Sequence, residues 1–177
     1  MAAPNDLRER VRGERGLFEK IESVIPGFAG YKEKELRREA DKLLRTELAK
    51  ELKLLDKEID EAYEEIVDSK LTGAYGIMDT TTALMDKIIS KVEIADYGYA
   101  GFFNAMKIKE GALGRMYDFD ASLFGEMQKI EKAVGKLADD VAGDGANAER
   151  LAKELKAAVI EFDKKFDQRK GVMLDIE

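Results

Sequence analysis

The chain has 177 residues, 30 Lys and Arg against 37 Asp and Glu, and a formal net charge of −7, with 45% hydrophobic and 38% charged residues. That balance is too apolar for disorder and too charged for a membrane span, and the length suits one domain or at most two small ones. Cys, His and Trp are all missing, which excludes disulfides, thiolate or imidazole metal sites, iron–sulfur clusters and every nucleophile–base pairing that needs His or Cys.

The first predicted element is an amphipathic helix from about Asn5 to Ile25. Asn5 or Asp6 can cap it, and Leu7, Val11, Phe18, Ile21 and Ile25 recur at helical spacing. Gly13 and Gly16 weaken it, and Pro26-Gly27 ends it, so residues 1–30 read as one helix and a turn. Its polar side mixes Arg8, Arg10, Arg12, Arg15 and Lys20 with Asp6, Glu9, Glu14, Glu19 and Glu22. Helices that lie on membranes carry a basic polar face, so packing against protein is preferred here and a membrane-surface role is the lesser alternative. No apolar run reaches the roughly 20 residues of a span, and the opening residues lack the apolar core of a secretion signal. The expected location is the cytoplasm.

Residues 31–70 follow as one long charged helix of about 36 residues, with no Pro or Gly between Tyr31 and Ser69. Leu48, Leu52, Leu55, Ile59, Ala62 and Ile66 form a heptad seam, and Leu36, Ala40 and Leu44 extend it on a shifted line. Such a helix is about 55 Å long, against a radius of gyration of about 16 Å for a compact domain of this size, so an elongated bundle is expected. Its charges are unevenly placed. Lys32 to Arg45 hold six basic and four acidic residues, whereas Asp56 to Asp68 hold seven acidic residues and one Lys. This opposes the helix macrodipole, and like-charged i,i+4 pairs such as Lys34/Arg38 and Glu61/Glu65 bring the forgone local stability to about 1–2 kcal/mol. An antiparallel copy would set basic half against acidic half. Lys34, Arg37 and Arg38 on one side and Glu61, Glu64 and Glu65 on the other are the candidate contacts, in a homodimer or with another charged protein.

A break at Leu71 to Gly76 precedes the remaining bundle helices, expected within 77–171. Ile77, Met78, Thr81, Leu84, Met85, Ile88, Ile89 and Val92 give a broad apolar face; Asp96 to Asn104 blurs between helix and loop. From about Glu110 to Val141 the seam is Leu113, Met116, Asp120, Leu123, Met127, Ile130, Val134, Leu137 and Val141. Ala142 to Gly145 form a turn, Asp144 or Asn147 can cap the last helix, and Leu151, Leu155, Ala158, Phe162 and Phe166 line it until Gly171, leaving an apolar tail at 172–177. No period-2 strand pattern and no solenoid-length repeat competes. The fold class is all-α: one elongated bundle of about five helices.

Two local features invite a chemical reading. Tyr97-Gly98-Tyr99-Ala100-Gly101-Phe102-Phe103 suits a close helix crossing, with an aromatic docking patch or a small-ligand pocket as the alternative. Asp120 sits on an apolar seam, where a carboxylate needs a Lys, Arg or Tyr partner from another helix or serves a polar site. Asp118 and Asp120 do not share a helix face, so they make no metal clamp. No Ser is followed by Lys at the third position, and no phosphate-binding loop occurs.

Gly30 to Arg45 (GYKEKELRREADKLLR), Ala95 to Phe103 (ADYGYAGFF) and Arg115 to Leu123 (RMYDFDASL) together resemble segments of an uncharacterised family of small prokaryotic all-helical proteins. The resemblance implies a helical fold and carries no activity or site residue.

The sequence thus points to a non-enzymatic interaction or scaffold protein that self-associates through its long charged helix. No catalytic residue, cofactor or metal is expected. Basic and acidic residues are spread evenly over both halves of the chain, against general nucleic-acid binding. A peripheral membrane protein or a small-ligand carrier are the alternatives.

Overall fold

A computed structural model describes residues 34–94 and 110–174, chiefly as backbone at the outer ends of the first, third and fourth helices. All its regular elements are helical: α1 (Lys34–Asp68), a 3-10 turn (Thr72–Ala74), α2 (Tyr75–Ile94), α3 (Glu110–Ala142) and α4 (Ala148–Leu174). The proposed helix at 5–25 and the stretch Asp96 to Asn104 lie outside the described residues.

The 35 residues of α1 span about 52 Å. Lys70 ends the hairpin's first arm in a left-handed conformation, at φ 58°. Its N–H reaches Val67 O at 3.0 Å, and the Leu71 N–H reaches Ile66 O at 3.0 Å. These are the paired bonds of a Schellman cap, built here without the usual Gly. Between α3 and α4 Gly145 is also left-handed, at φ 63°, and its N–H reaches Asp140 O at 2.9 Å. Asp140 secures that turn: its carboxylate accepts the Asn147 backbone N–H and side-chain amide, both at 3.0 Å.

α1 and α2 make one antiparallel hairpin, tied by Lys53 to Glu93 at 2.6 Å and by the Tyr63 hydroxyl donating to Asp79. α3 and α4 make the second. The two turns meet at one end of the molecule, since a Cβ on Gly145 would stand 2.5 Å from Leu71 Cδ1. α1 therefore runs parallel to α3, and α2 parallel to α4. The packed pairs are α1/α2, α1/α3, α2/α4 and α3/α4, so the hairpins stack side by side with like helices adjacent.

The core repeats with the stack. Leu48, Leu52, Leu55, Ile59, Ala62 and Ile66 of α1 are buried, and so are Leu123, Met127, Ile130, Val134, Leu137 and Val141 of α3, each 75 positions later (123 less 48). Ala74, Met78, Thr81, Met85, Ile88 and Val92 correspond likewise to Ala148, Ala152, Leu155, Val159, Phe162 and Phe166, 74 positions later (148 less 74). Side chains in one layer thus come from equivalent turns, which lets both hairpins bury one continuous apolar face. Thr81 joins this core because its hydroxyl donates to Ile77 O at 2.8 Å, leaving no buried donor unmet.

Three expectations change. Val159, not Ala158, is the fully buried residue of its turn. The helix after the break begins at Tyr75, so Gly76 lies in its first turn. Gly171 does not stop α4, which runs on to Leu174; a Cβ there would meet nothing within 4 Å, so no close contact requires Gly, and a lone helical Gly costs only about 1 kcal/mol.

Candidate functional site

The seam of α1 faces its own chain, which leaves the opposite face to solvent, and that face is sorted by charge. Lys42, Lys50, Lys53 and Lys57 are exposed along the earlier part; Asp60, Glu61, Glu64, Glu65 and Asp68 are exposed along the later part. Glu58 is the exposed acid at the boundary, while Glu47 and Glu51 are half-buried. Leu54 lies among the lysines with 52% of its surface exposed. Three lysines find acids of their own chain: Lys50 with Glu47 at 3.1 Å, Lys53 with Glu93 at 2.6 Å and Lys57 with Glu61 at 3.4 Å. All three pairs are solvent-exposed, where such contacts are worth about 0–1 kcal/mol each and exchange readily. Among the described residues no ion pair engages Glu64, Glu65 or Asp68.

Burial, and then neighbouring acids, perturb protonation along this helix. The Asp56 carboxyl is pushed up to about 6, first by burial and then by the charges of Asp60 and Asp86. Burial, then Glu131 and Glu61, raise Glu58 as well. The Tyr63 hydroxyl is held above its ordinary range by its hydrogen bond to Asp79.

The other end of the bundle holds the buried cations. Arg45 on α1 is 4% exposed and Arg169 on α4 is 0% exposed. Glu126 on α3 accepts from Lys129 at 2.7 Å and from Lys165 of α4 at 3.0 Å. Burial opposes its charge, but those two ammonium partners outweigh it and hold the carboxyl below the usual range. Lys91 of α2 bridges to Asp163 of α4 at 2.6 Å and to Asp167, with its ammonium 5.9 Å from the Phe166 ring centroid. Arg45, Thr46, Ala49, Lys50 and Lys53 of α1 and Glu93 of α2 line an open groove of about 410 Å³.

Of the residues singled out from sequence, Glu61, Glu64 and Glu65 stand exposed on one stretch of α1. Lys34, Arg37 and Arg38 begin the same helix, but their side chains lie outside the described ones. So does the side chain of Asp120, a residue of α3. Tyr97, Gly98, Tyr99, Gly101, Phe102 and Phe103 lie outside the described residues altogether. Arg45, Arg169 and Glu126 are the buried charges that sequence reasoning missed. The signal was present for two of them: Arg45 stands three positions before Leu48, and Arg169 three after Phe166, both continuing buried seams.

No family model matches the chain, and neither a curated protein nor a solved structure does. Among the described residues no helix is long and apolar enough to cross a membrane, and no three carboxylates gather as metal ligands would.

Proposed function

We propose that the chain is a non-enzymatic protein-interaction or scaffold module of the cytoplasm, an elongated bundle with the segment at 5–25 as a fifth helix, that self-associates through the outer face of α1. The resemblance to an uncharacterised family of small helical proteins adds no activity to this reading. One observation carries it: among the described side chains, the exposed charged residues of α1 are basic up to Lys57 and acidic from Glu58 onward.

A second copy laid antiparallel across this face brings Lys57 toward Asp60 and Glu61, Lys53 toward Glu64, and Lys50 toward Asp68. Both halves repeat the same contacts, which makes the interface isologous and closes it at two subunits. Leu54 supplies an apolar contact near the middle. Such a surface is polar and gains mainly in specificity and encounter rate, so the resulting dimer is reversible and salt-sensitive.

Charge reversal tests the pairing. Lys53→Glu/Lys57→Glu and Glu61→Lys/Glu64→Lys each place like charges opposite one another, so each variant alone sediments as a monomer. Mixed together they regain opposite charges and form a heterodimer. Two variants that dimerise as well as the parent, or a mixture that stays monomeric while the parent dimerises, would refute the antiparallel arrangement.

A further inference from the structure

We propose that the middle of the seam between α1 and α2 is a proton-operated latch: uptake of one proton by Asp56 closes the hairpin, and its release loosens α2 from α1. The register of the seam supplies the geometry. Toward the turn, the Tyr63 hydroxyl of α1 donates to Asp79 of α2. Two helical turns farther from the turn, seven positions back along α1 and seven forward along α2, stand Asp56 and Asp86. Beyond them Lys53 meets Glu93 at 2.6 Å. At both flanking positions a donor on α1 answers an acid on α2, and at the middle one acid faces acid. Among the described residues no ion pair or side-chain hydrogen bond engages Asp56 or Asp86.

The flanking lysines are engaged elsewhere. On α1, Lys53 is held by Glu93 and Lys57 by Glu61 at 3.4 Å; on α2, Lys87 reaches Asp163 of α4 at 4.0 Å. The charges felt at Asp56 are those of Asp60 and Asp86, while Glu131 of α3 acts on Glu58. Burial first, then these two acids, push the Asp56 carboxyl up to about 6. The burial that α2 imposes and the charge of Asp86 are both relieved when α2 moves off, so the closed hairpin holds this proton more tightly than the open one. The advantage of closure is full below the ordinary value of 3.8 and is lost as the pH rises through about 6. Two acids are not a demand of the fold. The positions 75 and 74 later in the second hairpin carry Glu131 and a half-buried Ile160, so an apolar side chain suits the place that Asp86 takes. The latch lies on the α2 side of α1, apart from the contacts that join two copies except for Asp60.

Amide hydrogen exchange of the full chain at about pH 4.5 and about pH 6.5, corrected for intrinsic exchange rates, tests the latch. Each measurement is repeated at about tenfold lower protein concentration, which separates the latch from self-association. Opening of α2 from Met78 to Val92 is expected to rise about threefold or more relative to α4 between the two pH values, after allowance for solvent screening. Asp56→Asn, which cannot ionise, abolishes that rise. Asp86→Asn lowers the midpoint of the Asp56 carboxyl-carbon titration. Equal pH dependence in α2 and α4, a rise that survives in Asp56→Asn, or a rise that disappears on dilution overturns the latch. An Asp56 midpoint unmoved by Asp86→Asn shows that the two acids do not face each other and overturns it as well.

Discussion

Replacing Asp56 by Asn removes a carboxylate that the fold holds at a disadvantage. Its pKa is pushed up to about 6 from an ordinary 3.8, worth about 3 kcal/mol if fully expressed in stability at neutral pH. The side chain is only half-buried, so solvent screening reduces this to about 1 kcal/mol. The sign follows from linkage. The folded state holds this proton more tightly than the unfolded state, so the penalty is complete above pH 6 and fades as the pH falls toward 3.8. Urea unfolding of Asp56→Asn at pH 7 is expected to show a gain of about 1 kcal/mol over the parent, shrinking to nothing near pH 4. A parallel titration of the Asp56 carboxyl carbon should have its midpoint near 6. A variant no more stable than the parent at pH 7, or equally stabilised at both pH values, would contradict the assignment of strain to this cluster.

Other consequences concern the turns and the core. Gly145→Ala is expected to cost about 1–3 kcal/mol in chemical denaturation, because its φ of 63° disfavours a side chain and its new Cβ would meet Leu71 Cδ1 at 2.5 Å. Adding Leu71→Ala should recover the clash while leaving the backbone cost, which a double-mutant cycle resolves. Lys70→Gly should raise stability by about 0.5–1 kcal/mol, since it relieves the left-handed strain at φ 58° and gives back part of that gain as chain entropy. Phe162→Ala, at a fully buried position on α4, should cost about 3–5 kcal/mol by thermal or urea unfolding.

The architecture was legible because its signal is periodic. Leu48 to Ile66 and Leu123 to Val141 keep the 3/4 spacing that a helix needs to present one stripe, and both stripes are buried. The pairing of hairpins was harder to read. The 75-residue offset between those stripes is visible only when two helices are aligned against each other, since residue types differ at most equivalent positions: Ile59 answers to Val134, and Ala62 to Leu137. The buried ions were missed for a physical reason. A long cationic side chain on a seam carries an apolar stem that packs like a hydrophobe, so Arg45 and Arg169 look like surface residues until depth is known. The charge sorting on α1 could be read in outline, but not which lysines already have partners, because Glu93 and Glu47 reach them from another helix and from a neighbouring turn.

Self-association through α1 is the central claim, and light scattering across a salt series tests it most directly. Opposed charge halves attract over a screening length of about 10 Å at 0.1 M salt and about 3 Å at 1 M. The account predicts the mass of a dimer at low ionic strength, falling toward that of one chain as salt rises. One chain's mass at every salt concentration, or a dimer whose affinity does not change with salt, would contradict it.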